Sequence, residues 1–199
     1  MTAWLKIIGI GEDGLDGLSD TARTLVREAE ILIGGKRHQN LAHATDAKRV
    51  AWPSPFDAMI DEIKSHKGKR VVILVTGDPL WYSVGARILR SIPAEEIDFF
   101  PQLSAFQWTA CRLGWSLADV ETLTIHGRPV EQAIPFFEHG SRLLILTKDA
   151  SSPEALASLL VDRGYGASKM TVLSHLGSDA EQRFEGVAES WDHDVPDFH

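Results

Sequence analysis

RVVILVTGDPLWYSVG, residues 70–85, changes character at its midpoint. Val71 to Val75 is an unbroken apolar run, rich in β-branching and far too short for a membrane span. It reads as a strand buried on both faces, the mark of a parallel sheet in an α/β layer fold. Thr76-Gly77-Asp78-Pro79 then stops the strand, because glycine reaches φ > 0 and proline has no N–H to give a ladder. An amphipathic segment follows at once. Ligands of open α/β sheets lie at the carboxyl ends of such strands, so this loop is the first place to seek a function.

Toward the N-terminus, Leu5–Ile10 reads as a strand running into the loop Gly9-Ile10-Gly11-Glu12-Asp13-Gly14. Ser19 is placed to cap a helix whose apolar face is Ala22, Leu25, Val26 and Ala29. Ile31–Ile33 is a short strand stopped by Gly34-Gly35, and Lys36–Leu41 makes one or two helical turns. Arg49–Trp52 is a strand, Pro53-Ser54-Pro55 a turn, and Phe56, Met59, Ile60 and Ile63 mark a helix. Toward the C-terminus, Val84, Ile88 and Leu89 continue a helix up to Pro93. Ile97–Phe100 is a strand, and Pro101–Leu103 leads into a helix from Ser104 to about Leu113. This alternation predicts one α/β unit.

Gly114–Val120 reads as the crossing into a second unit, which sets expected domains at 1–116 and 117–199. Its strands are expected at Thr122–Ile125, Leu143–Thr147 and Met170–Leu173. Its clearest helix runs from Pro153 to Val161 with Ser152 as cap. The tail from Trp191 to His199 reads as frayed, or as a cut through a longer chain.

The 199 residues carry a net charge of −8, and the 20 Lys+Arg form no block or stripe, which argues against nucleic acid as a partner. No run suits a transmembrane helix, and Met-Thr-Ala-Trp-Leu-Lys enters a strand with no signal-peptide pattern. The single cysteine, Cys111, excludes an intrachain disulfide framework and suits a reducing cytoplasm. It is expected as a buried small hydrophobe on a helix. Eight histidines show no metal-ligand spacing, so no metal is expected.

Gly9-x-Gly11-x-x-Gly14 matches the dinucleotide fingerprint on paper. The third glycine of that fingerprint belongs in the first helical turn, whereas Leu15-Asp16-Gly17-Leu18 intervene here before the cap. Glu12, Asp13 and Asp16 also put negative charge where a pyrophosphate would sit, with no basic residue close in sequence. A wide turn, or the edge of a cleft for a cationic or neutral ligand, fits better than a nicotinamide-dependent oxidoreductase.

GIGEDGLDGLSDTARTLVREAEILIGGKRH, TGDPLWYSVG, PQLSAFQWTACRLGW, HGR, LTKDASSP and VLSHLGSDAEQ occur in the order seen in the tetrapyrrole methylases. The chain resembles that family over nearly its whole length. Within it, the likeness is strongest to C5-methylating enzymes of cobalamin biosynthesis, and to the N-terminal half of those that methylate at both C5 and C15. Two departures stand out. The first loop lacks the common G-x-G-P-G-D ending, and the usual P-G-x-S-S is Pro101-Gln102-Leu103-Ser104-Ala105, which leaves only the backbone of Ala105 for hydrogen bonding.

The resemblance implies two α/β domains, a parallel-rich sheet followed by a mixed one, with S-adenosylmethionine folded into the cleft between them. It also implies a homodimer, a precorrin substrate at the precorrin-6B/precorrin-7 stage, and a fused or adjacent C15-methylating, decarboxylating domain. Gly77, Asp78 and Trp81 are then expected to line the donor pocket and Ser104 and Ala105 its adenosyl part. Leu146, Thr147, Ser174 and His175 are expected to close it from the second domain. Gly11 is expected to border the macrocycle.

Methyl transfer from a sulfonium needs neither metal nor covalent nucleophile. Alignment of the two reactants is the main task, worth roughly 7–11 kcal/mol. Asp78 either favours the cationic donor or caps the turn after it; both readings stand. A ring bearing acetates and propionates calls for anchors such as Arg37, His38, His126 and Arg128. Tyr82 or His126 is placed to take the proton lost after methylation, and water is the alternative. Trp81, Trp108 and Trp115 either stack on a flat ligand or fill the core. Two other readings compete: a related methylase acting at another macrocycle carbon, and a non-catalytic module that holds the tetrapyrrole.

Overall fold

Five parallel strands carry the first unit of the fold, and the apolar runs among them have a reason visible in their two faces. The computed structural model describes residues 3–43 and 45–197. In it β1 (Leu5–Ile10), α1 (Asp20–Arg27), β2 (Ile31–Ile33), α2 (Lys36–Leu41) and β3 (Lys48–Val50) are followed by α3 (Met59–Ser65), β4 (Val71–Thr76), α4 (Gly85–Ile88) and β5 (Ile97–Phe100). The sheet order is β3-β2-β4-β1-β5, parallel throughout. Leu5, Ile7, Ile31, Ile33, Val71, Ile73 and Val75 face one layer with Met59, Ile63 and Ile88. Ile8, Ile10, Leu32, Val72 and Leu74 face the other with Ala22 and Val26 of α1. Coverage on both sides is why these strands read as continuous rather than alternating apolar runs.

The connection leaving β1 therefore runs through α1 on one face, and that leaving the adjacent β4 runs through α4 on the other. Adjacent strands whose connections part to opposite faces open a crevice at their carboxyl ends. Here those ends are Ile10 and Thr76, which stand in register.

The chain divides into Met1–Ser104 and Ala105–His199. The second unit comprises α5 (Ala105–Leu113), β6 (Glu121–Thr124), β7 (Leu143–Leu146), α6 (Ser152–Asp162), β8 (Lys169–Ser174) and β9 (Gln182–Val187). β6 and β7 pair in parallel and β8 and β9 antiparallel, in separate ladders. Leu143 and Ile145 face a cluster with Leu123 and Leu156, while Leu144 and Leu146 face Phe106 and Ala110 of α5. β7 is thus covered on both faces. A cavity of about 720 Å³ lies along the edges of β7 and β8, which do not pair with each other.

Several expectations shift. β3 begins at Lys48 and ends at Val50, because its partner β2 is three residues long; Trp52 packs on the core from the loop beyond. The helix expected up to Pro93 is the four-residue α4. Ser152 is the first residue of α6 rather than its cap, and its hydroxyl instead accepts the Lys148 and Asp149 N–H groups at 3.1 and 3.2 Å. Cys111 is exposed on α5, not buried, since Phe106 and Ala110 occupy the face turned to the core. β9 escaped the sequence reading. Its QRFEGV has two charges among six residues and no fully buried position, so neither alternation nor a continuous run marks it. The last two residues of the tail expected to fray lie outside the described ones; before them Val195 is buried, and Asp197 accepts the Ala150 N–H at 3.2 Å. Among the described residues no helix is long and apolar enough to cross a membrane.

Candidate functional site

At the carboxyl ends of β1, β2, β4 and β5, backbone approaches backbone with almost no side chain between. An atom in the Cβ position of Gly9 would lie 1.8 Å from the Gly77 carbonyl oxygen and 2.8 Å from the Gln102 nitrogen. Gly77 adopts φ +62, and a Cβ there would lie 2.7 Å from the Ser104 Cα. The Gln102 N–H donates to the Gly77 carbonyl at 3.2 Å, and the Gly77 N–H to the Ile10 carbonyl at 3.4 Å. Three loops far apart in sequence are therefore locked together by main chain.

Thr76 is where the motifs meet. Its hydroxyl lies 2.9 Å from His38 Nε2 and accepts from Arg37 Nη1 at 3.3 Å, so GGKRH closes onto the end of β4. Arg37 also forms an ion pair with Glu12 of the first loop. Glu12 is thus compensated in space by a residue remote in sequence, while Arg23 donates to the carbonyls of Leu15, Asp16 and Leu18 and holds the turn after the loop. The loop leads into a 3-10 turn at Gly14–Gly17 and not into α1, whose cap is Ser19 as expected. That geometry agrees with the rejection of a dinucleotide fingerprint.

Burial, and then the Arg37 charge, lowers His38 from 6.5 to about 4. His38 is neutral at pH 7, so it offers a hydrogen bond rather than the cationic anchor expected from the sequence. Burial also lowers Arg37 from its usual value.

Asp78 accepts the Leu80 N–H through Oδ1 at 2.7 Å, the turn-capping role. Leu80, Trp81 and Tyr82 follow as exposed apolar side chains, and Leu103 is exposed on the loop after β5. Tyr82 has φ 52, uncommon for a residue with a side chain and characteristic of functional loops. Ser104 is buried and Ala105 half-buried. Gly11 sits in the first loop, where a Cβ would meet the Asp13 carboxylate at 2.7 Å. Beside these loops is a cavity of about 470 Å³ lined by Gly9, Gly17, Leu18, Phe100, Pro101 and Gln102.

In the second unit, His126 and Arg128 are exposed on a turn whose middle residue, Gly127, has φ 69. His126 Nδ1 lies 3.3 Å from the Thr147 carbonyl. A carbonyl only accepts, so Nδ1 is the donor in that bond. Leu146 and Thr147 are half-buried at the end of β7. The loop after them is fixed by Asp149, which is lowered to about 2 first by the Ser151 hydroxyl and then by Lys148. Ser174 is fully buried with no partner for its hydroxyl, and offers no surface to a ligand. His175 has φ 51. Arg112 grips Glu181 through two nitrogens and lies over the Trp108 ring, which clips the loop after His175 to α5. Trp108 and Trp115, each under an arginine, are packing residues here, whereas Trp81 stays exposed.

The 720 Å³ cavity, larger than the one beside the β1 and β5 loops, includes Ala105, Leu146 and Thr147 in its walls. Of its charged lining residues, Arg183 and Glu185 pair with each other at 2.5 Å, and Glu138, Arg142 and Lys169 line it as well. Convergent polar groups mark a binding site better than volume does, and they converge at Thr76.

The family model of Tetrapyrrole (Corrin/Porphyrin) Methylases matches residues 5–192. The chain belongs to the tetrapyrrole methylase family. It is 41% identical to a precorrin-6Y C(5,15)-methyltransferase [decarboxylating] of Sinorhizobium sp over 183 residues, 92% of this chain and 44% of that one. It is 27% identical to the cobalt-precorrin-7 C(5)-methyltransferase of Salmonella typhimurium, covering 89% of this chain and 88% of that. The solved precorrin-6Y methylase of Archaeoglobus fulgidus superposes with a TM-score of 0.68 at 25% identity, covering 99% and 94% of the two chains. The chain spans under half the length of the C(5,15) relatives. The two-domain α/β tetrapyrrole methylase fold expected from the motifs is therefore the fold observed, with the second unit's strands in two small ladders.

Proposed function

We propose that this chain is an S-adenosylmethionine-dependent methyltransferase acting at C5 of a precorrin, at the precorrin-6B/precorrin-7 stage of cobalamin biosynthesis. The observation that carries the reading is the meeting of three loops at Thr76, with a neutral imidazole, a guanidinium and a tightly closed backbone. The family membership and the C5-methylating relatives of both lengths support it.

The residues present fit the donor. When bound, S-adenosylmethionine supplies a sulfonium-activated methyl group, and its positive charge is favoured by the Asp78 carboxylate. Gly9 and Gly77 keep side chains out of the crevice, and Leu80, Trp81, Tyr82 and Leu103 exclude water around it. Ser104, Ala105, Leu146, Thr147, Ser174 and His175 are assigned to donor binding; of these Ser174, fully buried, acts by positioning His175 next to it in the chain. Gly11, Arg37, His38 and Arg128 are assigned to the macrocycle. The transfer uses an electron pair on C5, returns the S–CH₃ pair to sulfur, and ends with loss of a proton from the ring. His126 Nε2, the ring nitrogen not engaged by the Thr147 carbonyl, is the acceptor we assign to that proton, with the Tyr82 hydroxyl as the other group placed for it.

The same reading takes the protein as a cytoplasmic homodimer, with a fused or adjacent domain performing the C15 methylation and decarboxylation named in the longer relatives. The protein is incubated with metal-free and cobalt-containing precursor and donor labelled with ¹³C in the methyl group. Label at C5 is the expected result. Label at another carbon replaces the assignment with that of a sister methylase, and binding of both ligands without transfer replaces it with a holding module.

A further inference from the structure

We infer that the Thr76 hydroxyl is a hydrogen-bond donor of fixed sense that seats one carboxylate oxygen of a ligand beside Arg37. This rests on the methyltransferase reading and adds to it a residue and a chemistry. A threonine hydroxyl has one hydrogen and two lone pairs. Arg37 Nη1, which can only donate, takes one lone pair at 3.3 Å. What His38 does at 2.9 Å depends on its tautomer, and burial decides that. His38 Nδ1 is buried with no partner. A proton there would be an unsatisfied buried donor, whereas a bare lone pair costs less. The proton therefore lies on Nε2, which donates to Thr76. Both lone pairs are then occupied, and the Thr76 hydrogen must point elsewhere.

Thr76 is exposed, at the carboxyl end of β4, opposite Ile10 in register and one residue before the Gly77 turn. Its hydrogen is thus directed to an acceptor from outside the protein. Glu12 is held by Arg37, so the position presents a donor beside a compensated guanidinium, which favours an oxygen with negative charge. Two ligands carry one: the amino-acid part of the donor and the acid side chains of the ring.

Titration calorimetry on the intact protein separates them. The probes are S-adenosylhomocysteine, 5′-methylthioadenosine (which lacks the amino-acid part) and uroporphyrin III, an octacarboxylate tetrapyrrole. Thr76→Val is expected to weaken either S-adenosylhomocysteine or uroporphyrin III by about tenfold or more. Methylthioadenosine affinity stays unchanged, and Thr76→Ser stays within about twofold of the wild type. The ligand that loses affinity is the one whose carboxylate is seated. Wild-type affinities in Thr76→Val for both overturn the inference while leaving the methyltransferase reading intact. Failure of the wild type to bind either ligand overturns both. Independently of any ligand, ¹⁵N spectra of the His38 ring are expected to show Nε2 protonated and Nδ1 bare. The opposite tautomer overturns the inference even if the valine variant does not fold.

Discussion

Gly77 leaves Gly9 no room for a methyl group: a Cβ on Gly9 would lie 1.8 Å from the Gly77 carbonyl oxygen. Gly9 lies in β1 and Gly77 directly follows the end of the adjacent parallel β4, and their contact sets how closely the two strand ends approach. Gly9→Ala must push two strand ends apart, at a cost of about 3 kcal/mol or more. Denaturant titration is expected to show a much lower midpoint with an unchanged slope. A midpoint equal to that of the wild type would mean that the strand ends yield easily.

Asp78 carries two roles that one substitution confounds and two separate. Asp78→Asn keeps an oxygen for the Leu80 N–H, bonded at 2.7 Å in the wild type, and removes the charge. Asp78→Ala removes both. If the charge serves the cationic donor, Asn and Ala weaken S-adenosylmethionine by a similar factor, about tenfold, while only Ala lowers Tm. Asn binding the donor as well as the wild type reduces Asp78 to a turn cap.

His38 makes the stability depend on pH in a stated direction. Its folded value, about 4, lies below its ordinary 6.5 because burial and Arg37 disfavour the imidazolium. Between those values the unfolded chain binds more protons, so its contribution is complete above 6.5 and is lost as pH falls toward 4. Thermal unfolding from pH 7 to 4 should show a steeper decline in the wild type than in His38→Asn. Parallel curves would show that His38 titrates normally.

Arg112 and Glu181 hold the loop that contains His175 against α5, and Glu181 also accepts the Gly177 N–H at 3.0 Å. These bonds, Arg112 first, lower the Glu181 carboxyl below its usual range. Glu181→Gln is expected to raise amide exchange several-fold across residues 175–181 and to leave the first unit's exchange unchanged. Exchange that is unaltered, or altered throughout, would remove the clip from the account. In the same protein Cys111, exposed on α5, should react fully with a thiol reagent before unfolding.

The first sheet was legible because burial on both faces writes itself as short apolar runs: Leu5–Ile10, Ile31–Ile33 and Ile97–Phe100 begin and end where the sequence placed them. The loops were legible from glycine and proline. What sequence did not carry was proximity. Nothing near Glu12 in the chain foretells that Arg37 compensates it, and Thr76, which reads as the start of the turn that stops the strand, gives no sign that GGKRH closes on it. Burial likewise turned His38 from a cation into a neutral partner. β9 was lost because a half-exposed strand with Arg183 and Glu185 keeps no apolar periodicity.

Amide chemical-shift mapping with S-adenosylhomocysteine tests the central claim most directly. Shifts concentrated at Gly9–Gly11, Thr76–Tyr82 and Gln102–Ser104 are predicted, since those loops form the crevice at the ends of β1, β4 and β5. Shifts confined to the cavity along β7 and β8, with the Thr76 loop silent, would contradict it.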